Sequence, residues 1–220
     1  MAEALPPGEL APDAAQDYVG HPDNINFTDY PQYRPLRITA CGHSQLPNRL
    51  ENFDGHIVTT YKHGGARIKH MFDHNSPLYN VWNTPADLVI LFLGGNDLAD
   101  HKKDFVHHIK KELVHVVDEL KRYVCPLVIV TLLEERTYDH HPRREFRESP
   151  ILACYNDIAK KVNLRLKEHA KKTNQFRTAL VRGEFLQGRT IDGVHLTPAG
   201  LHQLRHVYRC AVMKTLKSQQ

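Results

Sequence analysis

Ser44, in "CGHSQLP", stands where an apolar run gives way to a turn, and a serine hydroxyl in such a place is a candidate nucleophile. It needs a base, a group that orients the base, and donors for a developing negative charge. The segment "IDGVHLTPAG" offers a carboxylate and an imidazole three positions apart. There Asp192 can hold the tautomer and direction of the His195 ring while the other ring nitrogen takes the serine proton. An unperturbed imidazole, with a pKa of about 6.5, suits a general base near neutral pH. Gly64 and Gly65 in "HGGAR" allow a backbone N–H to point outward, and Asn96 in "GGND" carries a side-chain donor. With the Ser44 N–H these would form a three-donor oxyanion hole. Each fragment alone has a plainer reading, because D-G, G-G and GGND are turn chemistry and His195 can simply precede a helix cap.

These residues are far apart in the chain, so the elements between them must bring them together. Five apolar runs have strand length: Leu36–Cys41, His56–Tyr61, Asp87–Leu93, Pro126–Leu133 and Arg177–Gly183. The third and fourth are continuous rather than alternating, as in strands of a parallel sheet buried on both faces. Phe105, Ile109, Leu113, Val116 and Leu120 recur with helical spacing, as do Ile151, Tyr155, Ile158, Val162 and Leu166. Asp100 is a candidate cap for the first helix; Ser149-Pro150 opens the second and Thr197-Pro198 a third. Strands alternating with helices predict an α/β fold, a three-layer α/β/α sandwich around a five-stranded parallel sheet. Ligands in such folds bind beyond the carboxyl ends of the strands. Ser44 follows the first run, "HGGAR" the second, "GGND" the third and "DGVHLTPAG" the last, so all four are predicted on one rim.

In that order, "CGHSQL", "GGAR", "LGGND" and "DGVHL" resemble the four blocks of the SGNH hydrolase superfamily, the GDSL-type esterases and lipases. The resemblance runs from about Leu36 to the C-terminus. It implies a flavodoxin-like sheet, Ser44 as nucleophile, His195 as base with Asp192 as its partner, and Ser44, Gly65 and Asn96 as oxyanion donors, with Gly64 an alternative to Gly65. It further implies a serine esterase acting through an acyl-enzyme on a small-molecule ester, with a short-chain or acetyl group expected because no long apolar lid is visible. The first block departs from the pattern: His43 stands where the family usually has an acid. The ordinary α/β-hydrolase pattern G-x-S-x-G fits less well, since Leu46 occupies the second glycine position. Family members of this kind also occur inside retrotransposon-encoded proteins, which keeps a non-catalytic, nucleic-acid-associated module as the alternative.

Composition sets the remaining bounds. The 220 residues suffice for one core, read as a domain over residues 34–220 behind an extended or disordered arm at 1–33 that is rich in Pro, Asp and Ala. A net charge of +4 permits attraction to nucleic acid without requiring it, and the dense stretch "EERTYDHHPRREFRESP" mixes both signs, the pattern of a solvated loop. That loop, from Glu134 to Ser149, and the Phe72–Trp82 segment are the expected pocket walls. No run approaches the roughly 20 apolar residues of a membrane span. The N-terminus shows neither a basic start nor an apolar core of a signal peptide, and the four cysteines are widely spaced, which together lead us to expect a cytoplasmic protein with reduced thiols. Sixteen histidines include His70 and His74 one helical turn apart and "DHH" at 139–141, but there is no H-E-x-x-H, so neither a metal nor another cofactor is expected. The sequence contains no signal for oligomeric state.

Overall fold

The computed structural model describes residues 35–46, 55–100, 105–134, 136, 150–179 and 195–217. The expected N-terminal arm, Asp192, the end of the fifth apolar run and most of the loop after Glu134 lie outside these residues. Five strands form a single parallel sheet: β1 (Arg37–Gly42), β2 (Ile57–Lys62), β3 (Leu88–Phe92), β4 (Leu127–Thr131) and β5 (Arg177–Ala179). Their order is β2-β1-β3-β4-β5. Three long helices accompany them: α1 (Phe105–Tyr123), α2 (Pro150–Thr173) and α3 (Pro198–Lys217).

The sequence explains the layering. All five residues of β3 are buried, because β3 has a strand on each side and a helical layer on each face. Their side chains alternate between two cores. Val89 and Leu91 join Val128 and Val130 beneath Ile109, Leu113, Val116 and Leu120 of α1 and Tyr155, Ala159 and Val162 of α2. Leu88, Ile90 and Phe92 face the other way, with Ile38, Ala40 and Ile129 against Leu204, Tyr208 and Val212 of α3. Of the apolar stripes read at helical spacing, Ile109, Leu113, Val116 and Leu120 of α1 and Tyr155, Val162 and Leu166 of α2 are therefore on the faces that cover the sheet.

The helix starts follow their signals. Pro150 and Pro198 each occupy a first helical position, where the missing N–H costs nothing. Thr197 Oγ1 accepts from the Gly200 N–H at 3.2 Å, an N-cap for α3. Asp100 instead ends a short 3₁₀ turn, Asp97–Asp100, ahead of α1. Two further 3₁₀ segments, Ile68–Met71 and Pro77–Asn83, fill the β2–β3 connection, and the Trp82 indole N–H donates to the Met71 carbonyl between them. Among the described residues no helix is long and apolar enough to cross a membrane.

This strand order places β1 between β2 and β3, so the chain leaves β1 in one direction and returns past it to form β3. The crevice beyond the carboxyl ends of β1 and β3 is thus the switch point of the sheet, where folds of this topology hold their ligands.

Candidate active site

The ladder between β1 and β3 continues one residue past the strand, with the His43 N–H donating to the Phe92 carbonyl at 3.2 Å. The Leu46 N–H then donates to the His43 carbonyl at 3.0 Å, which closes a tight turn with Ser44 and Gln45 at its corner. His43, Gln45 and Leu46 are buried, and that leaves Ser44 as the half-buried residue of the turn on the rim. Its Oγ lies 3.2 Å from Nε2 of His195, a residue 151 positions away in sequence. His195 is exposed and is followed by the buried Leu196 and the capping Thr197, so the packed start of α3 fixes where its ring emerges. That separation puts the hydroxyl within hydrogen-bond reach of the ring nitrogen, the geometry needed for proton removal.

The loop after β2 forms the next side of the rim. The Ala66 N–H donates to the His63 carbonyl at 3.1 Å, which puts Gly64 and Gly65 at a corner. Gly65 has φ of 69°, the left-handed region that a side chain would strain, so position 65 is the one that requires glycine. Two residues that follow β3 tie this loop down. The Asn96 side-chain Nδ2 donates to the Ala66 carbonyl at 3.0 Å, and both carboxylate oxygens of Asp97 lie 3.2 Å from the Ile68 N–H. Burial pushes the Asp97 carboxyl above its usual range, and the Ile68 N–H pulls it back toward the ionised form. The blocks holding Gly65 and Asn96 are therefore stitched together by the residues that flank them.

Behind this rim is a buried polar cluster. His43 is 1% exposed, its ring 4.4 Å from that of Phe92, and its Nδ1 takes a hydrogen bond from the Gln45 N–H at 3.4 Å. Burial, reinforced by the charges of Arg136, His195 and Lys62, pushes the His43 pKa down to about 3, so this ring is neutral. Glu134, 2% exposed, is pushed above the usual carboxyl range by burial, which outweighs the opposing pull of Arg136, its own backbone N–H, Gln45 and His195. Arg136 is 8% exposed, its guanidinium carbon 4.4 Å from the centre of the Tyr155 ring. The expectation of a solvated mixed-charge loop is therefore wrong at its beginning. Glu134 and Arg136 follow β4, and the rule that placed the four blocks on one rim places them there as well.

The GDSL-like Lipase/Acylhydrolase family profile matches residues 25–206. The chain belongs to this family. Among solved structures its fold is similar to Est24, a carbohydrate acetylesterase from Sinorhizobium meliloti, at 18% identity over 81% of this chain and 99% of that one, with a TM-score of 0.60. A catalytic mutant of Axe2, an acetylxylan esterase from Geobacillus stearothermophilus, is similar at 15% identity over 80% and 94% of the two chains, with a TM-score of 0.56. An extracellular lipase from Streptomyces rimosus covers 99% of its own length and 80% of this chain at 14% identity, with a TM-score of 0.54. No curated protein sequence matches the chain.

Of the residues that the family's blocks single out, Ser44 and His195 are in contact, and Gly65 and Asn96 lie on loops joined through Ala66 and Ile68. Asp192 lies outside the described residues. The sequence reading missed Arg136, which reaches Asn96 from behind, and Asp97, which fastens the Gly65 loop. Of the two expected pocket walls, the Phe72–Trp82 segment forms an aromatic stack, with the Phe72 ring 5.5 Å from both Trp82 and His115. Among the described residues no three His, Cys, Asp or Glu side chains gather to hold a metal ion. His70 pairs with the ring of His63 at 5.0 Å, and His74 with that of Tyr79 at 4.1 Å.

Proposed function

We propose that this family member is a serine esterase that hydrolyses a small or short-chain ester, with acetyl the first acyl group to test, through an acyl-enzyme. The observation that carries the reading is the 3.2 Å contact between Ser44 Oγ and His195 Nε2 at the switch point of the sheet. His195 takes the Ser44 proton as the hydroxyl oxygen attacks the ester carbonyl. The tetrahedral oxyanion is received by the Ser44 and Gly65 N–H groups and the Asn96 amide. His195 then returns the proton to the departing alcohol. In the second half, water loses a proton to His195 and attacks the acyl carbon, and Ser44 leaves with that proton. Asp192 is the proposed partner of the His195 ring, assigned by its place in the fourth block. The acetyl preference draws support from the two acetylesterases of similar fold.

A chain-length series of p-nitrophenyl esters on the wild type and Ser44→Ala tests this. Turnover should be fastest with the shortest acyl chains and fall by about 10⁴ or more in the variant, since nucleophile removal in a serine hydrolase has effects of that order. A fluorophosphonate should label the wild type alone. Undiminished esterase activity in Ser44→Ala would refute the proposal. Absence of labelling together with tight, salt-sensitive RNA binding would favour the non-catalytic alternative.

A further inference from the structure

We infer that Arg136 is a positioning residue of the oxyanion hole: through Oδ1 of Asn96 it turns the amide so that Nδ2 is presented to the reacting centre. The inference rests on the esterase reading above. An asparagine amide has nearly the same shape in either orientation, so a surrounding group must decide which end faces the substrate. Here two contacts make the same choice. Nδ2 donates one hydrogen to the Ala66 carbonyl at 3.0 Å, and Oδ1 faces Nη2 of Arg136 at 3.5 Å. Reversal would set the amide NH₂ against a cation and the amide oxygen against a carbonyl, both repulsive. The second hydrogen of Nδ2 remains for an oxyanion. At 3.5 Å the contact is long for a charged donor, as hydrogen bonds in unliganded active sites often are.

The guanidinium is itself held by structure remote from the rim. Asn156 of α2 clamps the Arg136 backbone from both ends: Oδ1 accepts from the Arg136 N–H at 2.8 Å, and Nδ2 donates to the Arg136 carbonyl at 2.9 Å. The neighbouring Tyr155 supplies the ring beneath the guanidinium. Space for the head group comes from Gly95, where a Cβ would lie 3.0 Å from Nη2 of Arg136 and 3.3 Å from the Tyr155 hydroxyl. The glycine before Asn96 thus makes room for the cation that orients Asn96.

Steady-state kinetics with p-nitrophenyl acetate test the inference in a double-mutant cycle. Arg136→Met should lower kcat about tenfold, a part of the 10²–10³ expected for losing an oxyanion donor outright, with KM changed by less than about threefold. Arg136→Lys should recover part of the loss. In an Asn96→Ala background, Arg136→Met should cost less than about twofold further, because the group it positions is gone. Gly95→Ala, which crowds the guanidinium but leaves every charge in place, should reproduce the kcat defect with little change in melting temperature; it decides the matter if the Arg136 variants fail to fold. An active wild type whose kcat survives both Arg136→Met and Gly95→Ala, or a loss equal in both backgrounds, overturns the inference alone. A wild type that neither turns over esters nor reacts with a fluorophosphonate overturns the esterase reading and the inference with it.

Discussion

The same three strands, β1, β3 and β4, build two unlike regions. Midway along them the buried side chains are apolar with the exception of Thr39 in β1: Val89, Ile90 and Leu91 in β3, Val128 to Val130 in β4, Ile38 and Ala40 in β1. Just beyond their carboxyl ends the residues His43, Gln45, Glu134 and Arg136 are buried almost as completely. In the first region burial is favourable by itself, at about 25 cal/mol per Å² of apolar surface. In the second it opposes folding unless each polar group meets a partner, and that requirement fixes positions far more narrowly than apolar packing does. The rim is where the fold accepts an energetic penalty, and it is also where Ser44 meets His195.

The comparison makes opposite demands on substitutions in the two regions. Leu91, fully buried between the sheet and α1, should lose about 2–5 kcal/mol of stability when changed to Ala, as large-to-small changes in cores do. Urea unfolding measures that loss, and the folded fraction should keep the wild-type kcat. A large fall in kcat for folded Leu91→Ala would show that the core and the rim are coupled rather than separate.

That division also decides what could be read from the letters. Burial of an apolar run needs no knowledge of its partners, so "LVILFL" and "LVIVTLL" announced central strands that the structure matches within a residue or two. The helix starts at Pro150 and Pro198 were legible for a similar reason, since proline geometry is local. Ser44 and His195 were legible as chemistry. Arg136 was not, because a charged residue in a polar loop is usually solvated, and its burial depends on Tyr155, Asn156 and Asn96, none of them near it in sequence. The short 3₁₀ turns escaped for want of periodicity: four residues at Ile68–Met71 are held by a contact from Asp97, 29 positions away from Ile68. His43 was visible as a departure from the family's acid, whereas its burial against Phe92 was not.

The rim's penalty can be measured directly at His43. Its folded pKa of about 3 lies below the 6.5 of an unfolded histidine, so between these values the unfolded chain binds more protons and stability is lost as the pH falls. At 1.36 kcal/mol per unit, a scan from pH 6.5 to 4 should remove roughly 3 kcal/mol. Glu134 acts in the opposite sense: its raised folded pKa means that stability is lost as pH rises from about 4.5 through the folded value. The two oppose each other in the wild type, and comparison with His43→Asn isolates the histidine. The variant should lack that part of the acid limb, so the stability gap between it and the wild type shifts in the variant's favour as pH falls. A gap independent of pH would mean that His43 is charged in the folded state and that the rim is wetter than its burial indicates.

The smallest effect sharpens the comparison most, because it concerns a polar pair set in the apolar region. Thr131 Oγ1 and the Tyr208 hydroxyl lie 3.0 Å apart, both buried, where the end of β4 meets α3. Tyr208→Phe removes one partner and leaves the other buried without it, which should cost about 1–3 kcal/mol; Thr131→Val should cost a similar amount. The double variant Thr131→Val, Tyr208→Phe replaces both with apolar groups of like shape, and its loss should be smaller than the sum of the two, approaching zero. Chemical unfolding of the four proteins closes the cycle. If the losses add, the two hydroxyls are satisfied independently and the apolar region tolerates polar groups as the rim does. If they cancel, the pair is replaceable by hydrocarbon, and the difference between the regions lies in what their polar groups are for: under the proposed function those at the rim border the reacting centre, whereas between β4 and α3 Thr131 and Tyr208 bond to one another.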